Sequence, residues 1–324
     1  MSPPSQSAGF LASVEKRLTS VLSAQPEDDI PLLQAARRLT LAPGAKRLRP
    51  RMVWASAEQL GVGNDGLIDA AVAGELTHSA SLLHDDVVDE GTIRRGQPTA
   101  NVTFGNAVAV LAGDLLLSVA LEQIGAHPAE LVRTAIEVVR RMSQASMLEI
   151  ASRGRLDLDL AGWREVAAGK TGELFGWCCA APARFAGALV EAEQLRRCGR
   201  HLGIAFQMAD DLLDLLPGPA GKDRFSDLRE RTPSFPLLLG IAASPALRDR
   251  IAAFWSGAHK DRDAGVLGAA LLDLGVAGET ERAIDDELDR ARAELHGDLA
   301  GLVDRITGLW GTPERAREIA RSSA

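Results

Sequence analysis

LLHDDVVDEGTIRRGQP, residues 82–98, sets a cluster of carboxylates, Asp85, Asp86 and Asp89, a few residues ahead of an arginine pair, Arg94 and Arg95. The apolar residues around the acids recur at helical spacing, so the acidic half reads as a helix. On it Asp85 and Asp89 share a face, while Asp86 points about 100° away from Asp85. Like charges crowded on an apolar helix call for cations, either basic side chains or a metal. Hard oxygen donors, one or two per helix, suit Mg2+ whose shell is completed by a phosphate. The spacing returns in ADDLLD, residues 209–214, where Asp210 and Asp214 are again i and i+4 in an apolar helix and Asp211 lies between them.

Working outward, the 324 residues are rich in Ala, Leu, Arg, Glu and Asp and contain no Tyr, a composition that favours helices over strands. Net charge is −8 with Lys and Arg dispersed among the acids, so no nucleic-acid footprint is expected and any phosphate site must be local. The three cysteines, Cys178, Cys179 and Cys198, lack metal-type spacing and read as reduced core residues. MSPPSQSAGF at the N-terminus lacks a secretory pattern, and no uninterrupted apolar run reaches transmembrane length, so a cytoplasmic location is expected, with product delivery at a membrane surface.

Residues 1–9 read as a flexible tail. Leu11, Val14, Leu18, Val21 and Leu22 then open a series of helices expected near 31–41, 51–61, 66–89, 104–125, 128–153, 163–181 and 191–216. GAKRLRP, residues 44–50, is a basic loop in which Gly44 permits a turn and Pro50 opens a helix. Asp114 reads as buried by pattern, and PGPAG, residues 217–221, as a loop. No alternating strand pattern, fixed-period repeat or low-complexity linker is present. The expected fold is therefore all-α, a single bundle of long antiparallel helices spanning residues 10–324 around an apolar cavity.

Acidic helix faces suited to divalent cations, together with isolated basic residues (Lys46, Arg49, Arg94, Arg95, Lys170 and Lys222), describe a diphosphate site. Long Ala- and Leu-rich helices would line the rest of the pocket, which suits a hydrocarbon. A prenyl diphosphate has both properties, and its chemistry would be ionisation, with charge on the departing diphosphate stabilised and an allylic cation shielded from water.

In the order GAKRLRP, ELTHSASLLHDDVVDEGTIRRGQPT, FGNAVAVLAGDLL, AGKTGELF and GIAFQMADDLLD, residues 40–240 resemble the trans-isoprenyl diphosphate synthase, or polyprenyl synthetase, family. The resemblance implies Mg2+ as cofactor, with Asp85, Asp89 and Asp210 as direct ligands and Asp86, Asp211 and Asp214 binding through water or supporting them. It implies Arg94, Lys170 and Lys222 on the allylic diphosphate, and Lys46, Arg49, His78 and Arg95 on isopentenyl diphosphate. Lys170, Thr171 and Gln207 would face the carbocation, and the chain would work as a homodimer. The implied reaction is ionisation, condensation and elimination, repeated to lengthen an all-trans chain. Gly44-Ala45 stands for the usual Gly-Gly, Leu148 and Ser152 replace Gly and Gln around Glu149, which is read as structural, and Arg231-Thr232 stands where a Gly-Lys pair is common.

Ala80 and Ser81, about one turn before Asp85, are small, so nothing aromatic would stop a growing tail there and a product of geranylgeranyl length or longer is expected. Three rival readings compete with this one. A diiron bundle would use Glu75 and His78 as one Glu-x-x-His, but needs a second copy. A terpene cyclase would not need the GAKRLRP and RRG elements. A silent partner subunit of a hetero-oligomeric synthase would be expected to have lost aspartates that are intact here.

Overall fold

The computed structural model describes residues 4–23, 30–63, 66–216, 224–257 and 261–310. The PGPAG loop and Lys222 lie outside these described residues. In chain order the helices begin α1 (Pro4–Ser23), α2 (Pro31–Thr40), α3 (Leu48–Leu60) and α4 (Gly66–Val88). A two-stranded ladder, β1 (Ile93–Arg94) and β2 (Gln97–Pro98), precedes α5 (Ala100–Phe104), α6 (Asn106–Ile124) and α7 (Ala129–Ser152). Then come α8 (Leu160–Ala167), a π-helical turn (Ala168–Gly172), α9 (Glu173–Phe185) and α10 (Leu189–Leu215). The remainder comprises α11 (Ser226–Arg229), α12 (Phe235–Ala243), α13 (Pro245–Ser256), α14 (Asp261–Asp273), α15 (Val276–Ala293) and α16 (Leu302–Trp310). The all-α expectation holds. The first helix starts at Pro4, inside the stretch expected as a tail.

Two compact units are distinguished: Met1–Val139 with Leu174–Arg196 and Gly297–Leu302, and Arg140–Glu173 with Arg197–His296 and Val303–Ala324. Two of the breaks fall inside α7 and α10, so no linker composition marks them in the sequence.

In the first unit α4 is the organising helix. Leu67, Ala70, Ala71, Val72, Leu76, Ala80 and Leu83 are all buried, and so is Glu75. An apolar helix buried on most of its surface leaves only a narrow polar face, and that face carries His78, Asp85 and Asp89. Beside it α6 is long and apolar enough to cross a membrane by length and composition, the only such helix among the described residues. It packs on α4 through buried Ala109, Ala112, Gly113 and Leu116. A Cβ on Gly113 would lie 2.2 Å from the His84 ring, so any larger residue there would displace that side chain.

Asp114 corrects its expected burial. Its side chain is 60% exposed and lies 3.5 Å from His84 Nε2. The apolar pattern misled because α6 is hydrophobic almost all round, and Val110 and Leu111 are exposed alongside it.

In the second unit the expected 163–181 helix is interrupted. The Glu173 N–H bonds the Ala168 carbonyl, one residue further back than an α-helix allows, which makes the turn π-helical. Close packing holds it, since a Cβ on Gly203 of α10 would meet the Gly172 Cα at 2.4 Å.

Candidate active site

The GAKRLRP loop ends in a left-handed residue, Arg47 (φ 52°), which caps α3. The side chain of Arg47 is 6% exposed and bridges two helices. It donates to Glu75 Oε1 at 2.8 Å on α4 and, through Nε at 2.6 Å and Nη2 at 3.0 Å, to both Glu15 oxygens on α1. The other Glu75 oxygen is buried without a hydrogen-bond partner. Arg49, one residue past Leu48, lies with its guanidinium carbon 5.0 Å from the centre of the Phe175 ring, and burial lowers its pKa against the pull of Glu75. Lys46 is exposed on the same loop.

Past α4 the chain reverses in a two-residue hairpin whose tip, Arg95 (φ 52°) and Gly96 (φ 73°), has the paired left-handed geometry of a type I′ turn. The turn leading into it is pinned at the Gly91 carbonyl, which accepts Thr99 Oγ1 at 2.7 Å and Asn101 Nδ2 at 3.1 Å. Arg94 is thereby brought back onto α4, where Nε and Nη2 each lie 2.8 Å from Oδ1 of buried Asp86.

His78, Arg49, Arg94 and Arg95 thus gather in one electrostatic neighbourhood, and Arg47 joins them. Burial first, then the fields of Arg49, Arg95, Arg94 and Arg47, hold the His78 pKa well below its ordinary value. His78 is therefore neutral at physiological pH, and the net positive charge around it favours an anion. On the same face, Asp85 and Asp89 are half-buried and Asp86 is turned into the protein.

The small pair before Asp85 divides. Ala80 is 0% exposed and packed, so its methyl does not border open space, whereas Ser81 is half-buried on the Asp85 face and donates to the His78 carbonyl at 2.8 Å. Of the two, Ser81, four residues before Asp85, shares the aspartate face.

In the second unit Asp210 is exposed and Asp211 buried. Asp211 accepts Gln207 Nε2 and the Phe235 N–H, both at 2.9 Å. Even so, burial pushes its pKa up to about 7, with Asp210 and Glu149 adding to the rise. Asp214 accepts the backbone N–H groups of Ser226 and Asp227 at 3.1 and 3.2 Å and the Ser226 hydroxyl, so it caps α11. Gln207 is held at both ends: its carbonyl accepts Thr171 Oγ1 at 3.1 Å while its amide faces Asp211. Lys170, on the π-helical turn, donates to Glu149 Oε2 at 2.5 Å. Glu149, Lys170, Gln207 and Asp211 line a cavity of about 70 Å³ with Trp163, Asp227 and Thr232.

Glu75, Arg47, Glu149 and Asp227 are site-forming residues that sequence reasoning passed over or read as structural. A lone acid inside the apolar face of α4 was the available signal for Glu75. Asp227, whose pKa is raised by burial and then by Asp211 and Asp214, carried none. Arg231 sits at φ 60°, a conformation that favours glycine, and its carbonyl accepts the Gly154 N–H at 2.8 Å. That geometry puts Arg231 at the glycine and Thr232 at the lysine of the expected Gly-Lys pair. Arg231→Gly is accordingly expected to raise stability by roughly 0.5–1 kcal/mol, because relief of left-handed strain exceeds the entropy lost. A thermal melt checks this, and a lowered Tm would show that contacts of the arginine side chain dominate.

Among the described residues no three of His, Cys, Asp and Glu are grouped to hold a metal ion by themselves. Open carboxylates are what Mg2+ accepts, since it keeps several waters and takes phosphate oxygens, whereas a closed cage would suit Zn2+. The donor chemistry therefore fits Mg2+.

Comparisons with known proteins bear on the same residues. A family profile described as polyprenyl synthetase matches residues 30–270. A (2E,6E)-farnesyl diphosphate synthase of Mycobacterium tuberculosis is 36% identical over 216 residues, covering 64% of this chain and 60% of that protein. The chain thus spans less than two thirds of that relative's length. A nonaprenyl diphosphate synthase of the same organism is 35% identical over 267 residues, 81% of this chain and 78% of that one. Among solved structures, a polyprenyl synthase from Caulobacter crescentus complexed with calcium and isoprenyl diphosphate superposes with a TM-score of 0.85 at 30% identity, covering 95% of each chain.

Proposed function

The chain belongs to the polyprenyl synthetase family, and from that premise we propose that it is an all-trans polyprenyl diphosphate synthase, a Mg2+-dependent prenyltransferase joining isopentenyl diphosphate head-to-tail to an allylic diphosphate. One observation carries the reading. The helix α4 and the turn that continues it present the carboxylates Asp85 and Asp89 and, on the same face, a neutral His78 set among arginines. That face offers both a metal-binding end and a metal-free anion-binding end.

In this reading Arg49, His78 and Arg95, with Lys46, hold isopentenyl diphosphate. The neutral imidazole contributes a hydrogen bond without adding to the mutual repulsion of the guanidiniums. Arg94 exchanges Asp86, and Lys170 exchanges Glu149, for the allylic diphosphate, and Lys222 acts with them. Asp85, Asp89 and Asp210 are the Mg2+ ligands, supported by Asp86, Asp211 and Asp214. Magnesium bound there would supply positive charge to the departing diphosphate. Thr171 and Gln207, locked to one another and to Asp211, present fixed dipoles to the allylic cation without reorganising. The apolar helices exclude water from that cation. Elimination of a proton to the released diphosphate ends each cycle.

The calcium and isoprenyl diphosphate held by the Caulobacter polyprenyl synthase support the ligand classes. Relatives whose names span farnesyl to nonaprenyl leave the length to Ser81 and its surroundings. We take the product to be geranylgeranyl or longer. Ser81→Phe is expected to shift the product to a shorter chain while the overall rate of condensation falls by no more than about tenfold, roughly 1.4 kcal/mol. Product chromatography reads this, and an unchanged product places the stop elsewhere. The exposed apolar side chains of Val102 on α5 and Val110 and Leu111 on α6 support a homodimer, with light scattering as its test. A cytoplasmic location belongs to the same proposal.

Diphosphate release by the purified chain, supplied with isopentenyl and an allylic diphosphate, tests the activity. Release that stops with chelator and returns with Mg2+ supports it. No release under any of these conditions favours a silent partner subunit.

A further inference from the structure

Along the aspartate face of α4, partial exposure runs for two turns toward the helix start and then ends. Asp85, Ser81 and Thr77, spaced by four, are each half-buried, whereas one turn further Ala73 is 3% exposed and Gly74 is buried. At a rise of 1.5 Å per residue the open strip therefore closes about 12 Å from Asp85. There Ala73 and Thr77 meet Leu117 and Leu121 of α6, Val138 of α7 and Trp177 of α9. The cavity left among them is about 10 Å³, room for a single water.

Trp177 fills the end of that strip. It is 2% exposed, and its indole N–H donates to the carbonyl of buried Leu131 at 3.3 Å. A Cβ on Gly74 would lie 3.7 Å from Trp177 Cζ3, so the indole packs on α4 where Gly74 offers no side chain. Gly74 stands eleven residues before Asp85 and within about 20° of its direction, which places the ring in line with the aspartate face. The indole is thus fixed by a hydrogen bond on one side and by helix backbone on the other. Displacing it would leave a buried donor unpaired.

We propose that Trp177 is the specificity-determining residue of this chain, the floor against which a hydrocarbon tail stops. The proposal rests on the synthase reading above and deepens it: a tail whose diphosphate is held near Asp85 passes Ser81 and Thr77 and meets the indole. Each isoprene unit added carries the tail closer, and the unit that no longer fits ends growth. A close-packed, hydrogen-bonded ring yields little, so the limit is sharp and one main product results in place of a spread of lengths.

Product chromatography of the full chain with Mg2+, isopentenyl diphosphate and geranyl diphosphate tests the floor. Trp177→Leu should lengthen the main product by at least one isoprene unit. Thr77→Phe, one turn above the floor, should shorten it, and Ser81→Phe, a further turn up, should shorten it more. Trp177→Phe, which keeps an aromatic ring in place, should give a mixture of native and longer products and covers a Trp177→Leu chain that does not fold. Calorimetric titration in Mg2+ with saturated alkyl diphosphates of increasing length supplies a readout without turnover. Affinity should rise with length up to a break, and both Trp177 variants should move that break to longer chains. Product length and break unchanged in the Trp177 variants overturn the floor. A native chain that makes no prenyl product, yet shows a break that moves when Trp177 is replaced, keeps the floor and sinks the synthase reading. Normal synthesis with a break that does not move does the reverse.

Discussion

Asp85→Asn is expected to lower kcat by about 10²- to 10³-fold, the size of effect that follows when one element of charge stabilisation is withdrawn from a developing anion. The substitution is nearly isosteric and lies on a half-buried helix face, so the fold should persist. Affinity for isopentenyl diphosphate measured in chelator should be unchanged, because the arginines around His78 do not rely on that carboxylate. The contrast is the informative part. Loss of turnover together with loss of metal-free binding would mean that the two ends of the α4 face are not separate in the way proposed. Asp86→Asn should behave differently, since Asp86 is committed to Arg94.

The second large effect concerns stability. Glu75 is 3% exposed and shares Arg47, itself 6% exposed, with Glu15. Glu75→Ala leaves a buried guanidinium with its outer partner only, and removing one member of a buried pair costs about 3–5 kcal/mol. Replacing Arg47 and Glu75 together by leucines should recover much of that loss, because the desolvation of both charges disappears along with their attraction. Glu75 offsets part of the positive charge of Arg49 and Arg95, so the single variant should also lower KM for isopentenyl diphosphate more than it changes kcat. Chemical denaturation gives the first quantity and steady-state kinetics the second. A Glu75→Ala protein as stable as the native one would show that Glu15 alone satisfies Arg47.

Why these residues escaped the sequence reading is physical. The partners of Arg47 are 32 and 28 residues away and on different helices, so no local spacing announces them. Helices α4, α7 and α10 were legible because their apolar residues keep a helical period over many turns. The hairpin was not, since two-residue strands offer no alternation to detect. The π-helical turn hid within a helical pattern: Gly169 and Gly172 look like weak points in the sequence, and only close packing makes them necessary, since a Cβ on Gly169 would lie 2.6 Å from the Ala145 Cβ and one on Gly172 2.8 Å from the Arg200 carbonyl oxygen. Asp114 failed for the opposite reason, because α6 is apolar on its exposed side as well as its buried one. Asp85, Asp89, Asp210 and the arginine pair were readable because chemistry concentrates them in short motifs. Asp227 and Thr232 complete a cavity only after α10 and the segment before α12 are folded together.

The most direct measurement is the mass of the product formed when the purified chain is given isopentenyl diphosphate, farnesyl diphosphate and Mg2+. The account predicts geranylgeranyl diphosphate or a longer all-trans chain, absent when the metal is chelated. Recovery of farnesyl diphosphate unextended, with the metal present, would contradict it.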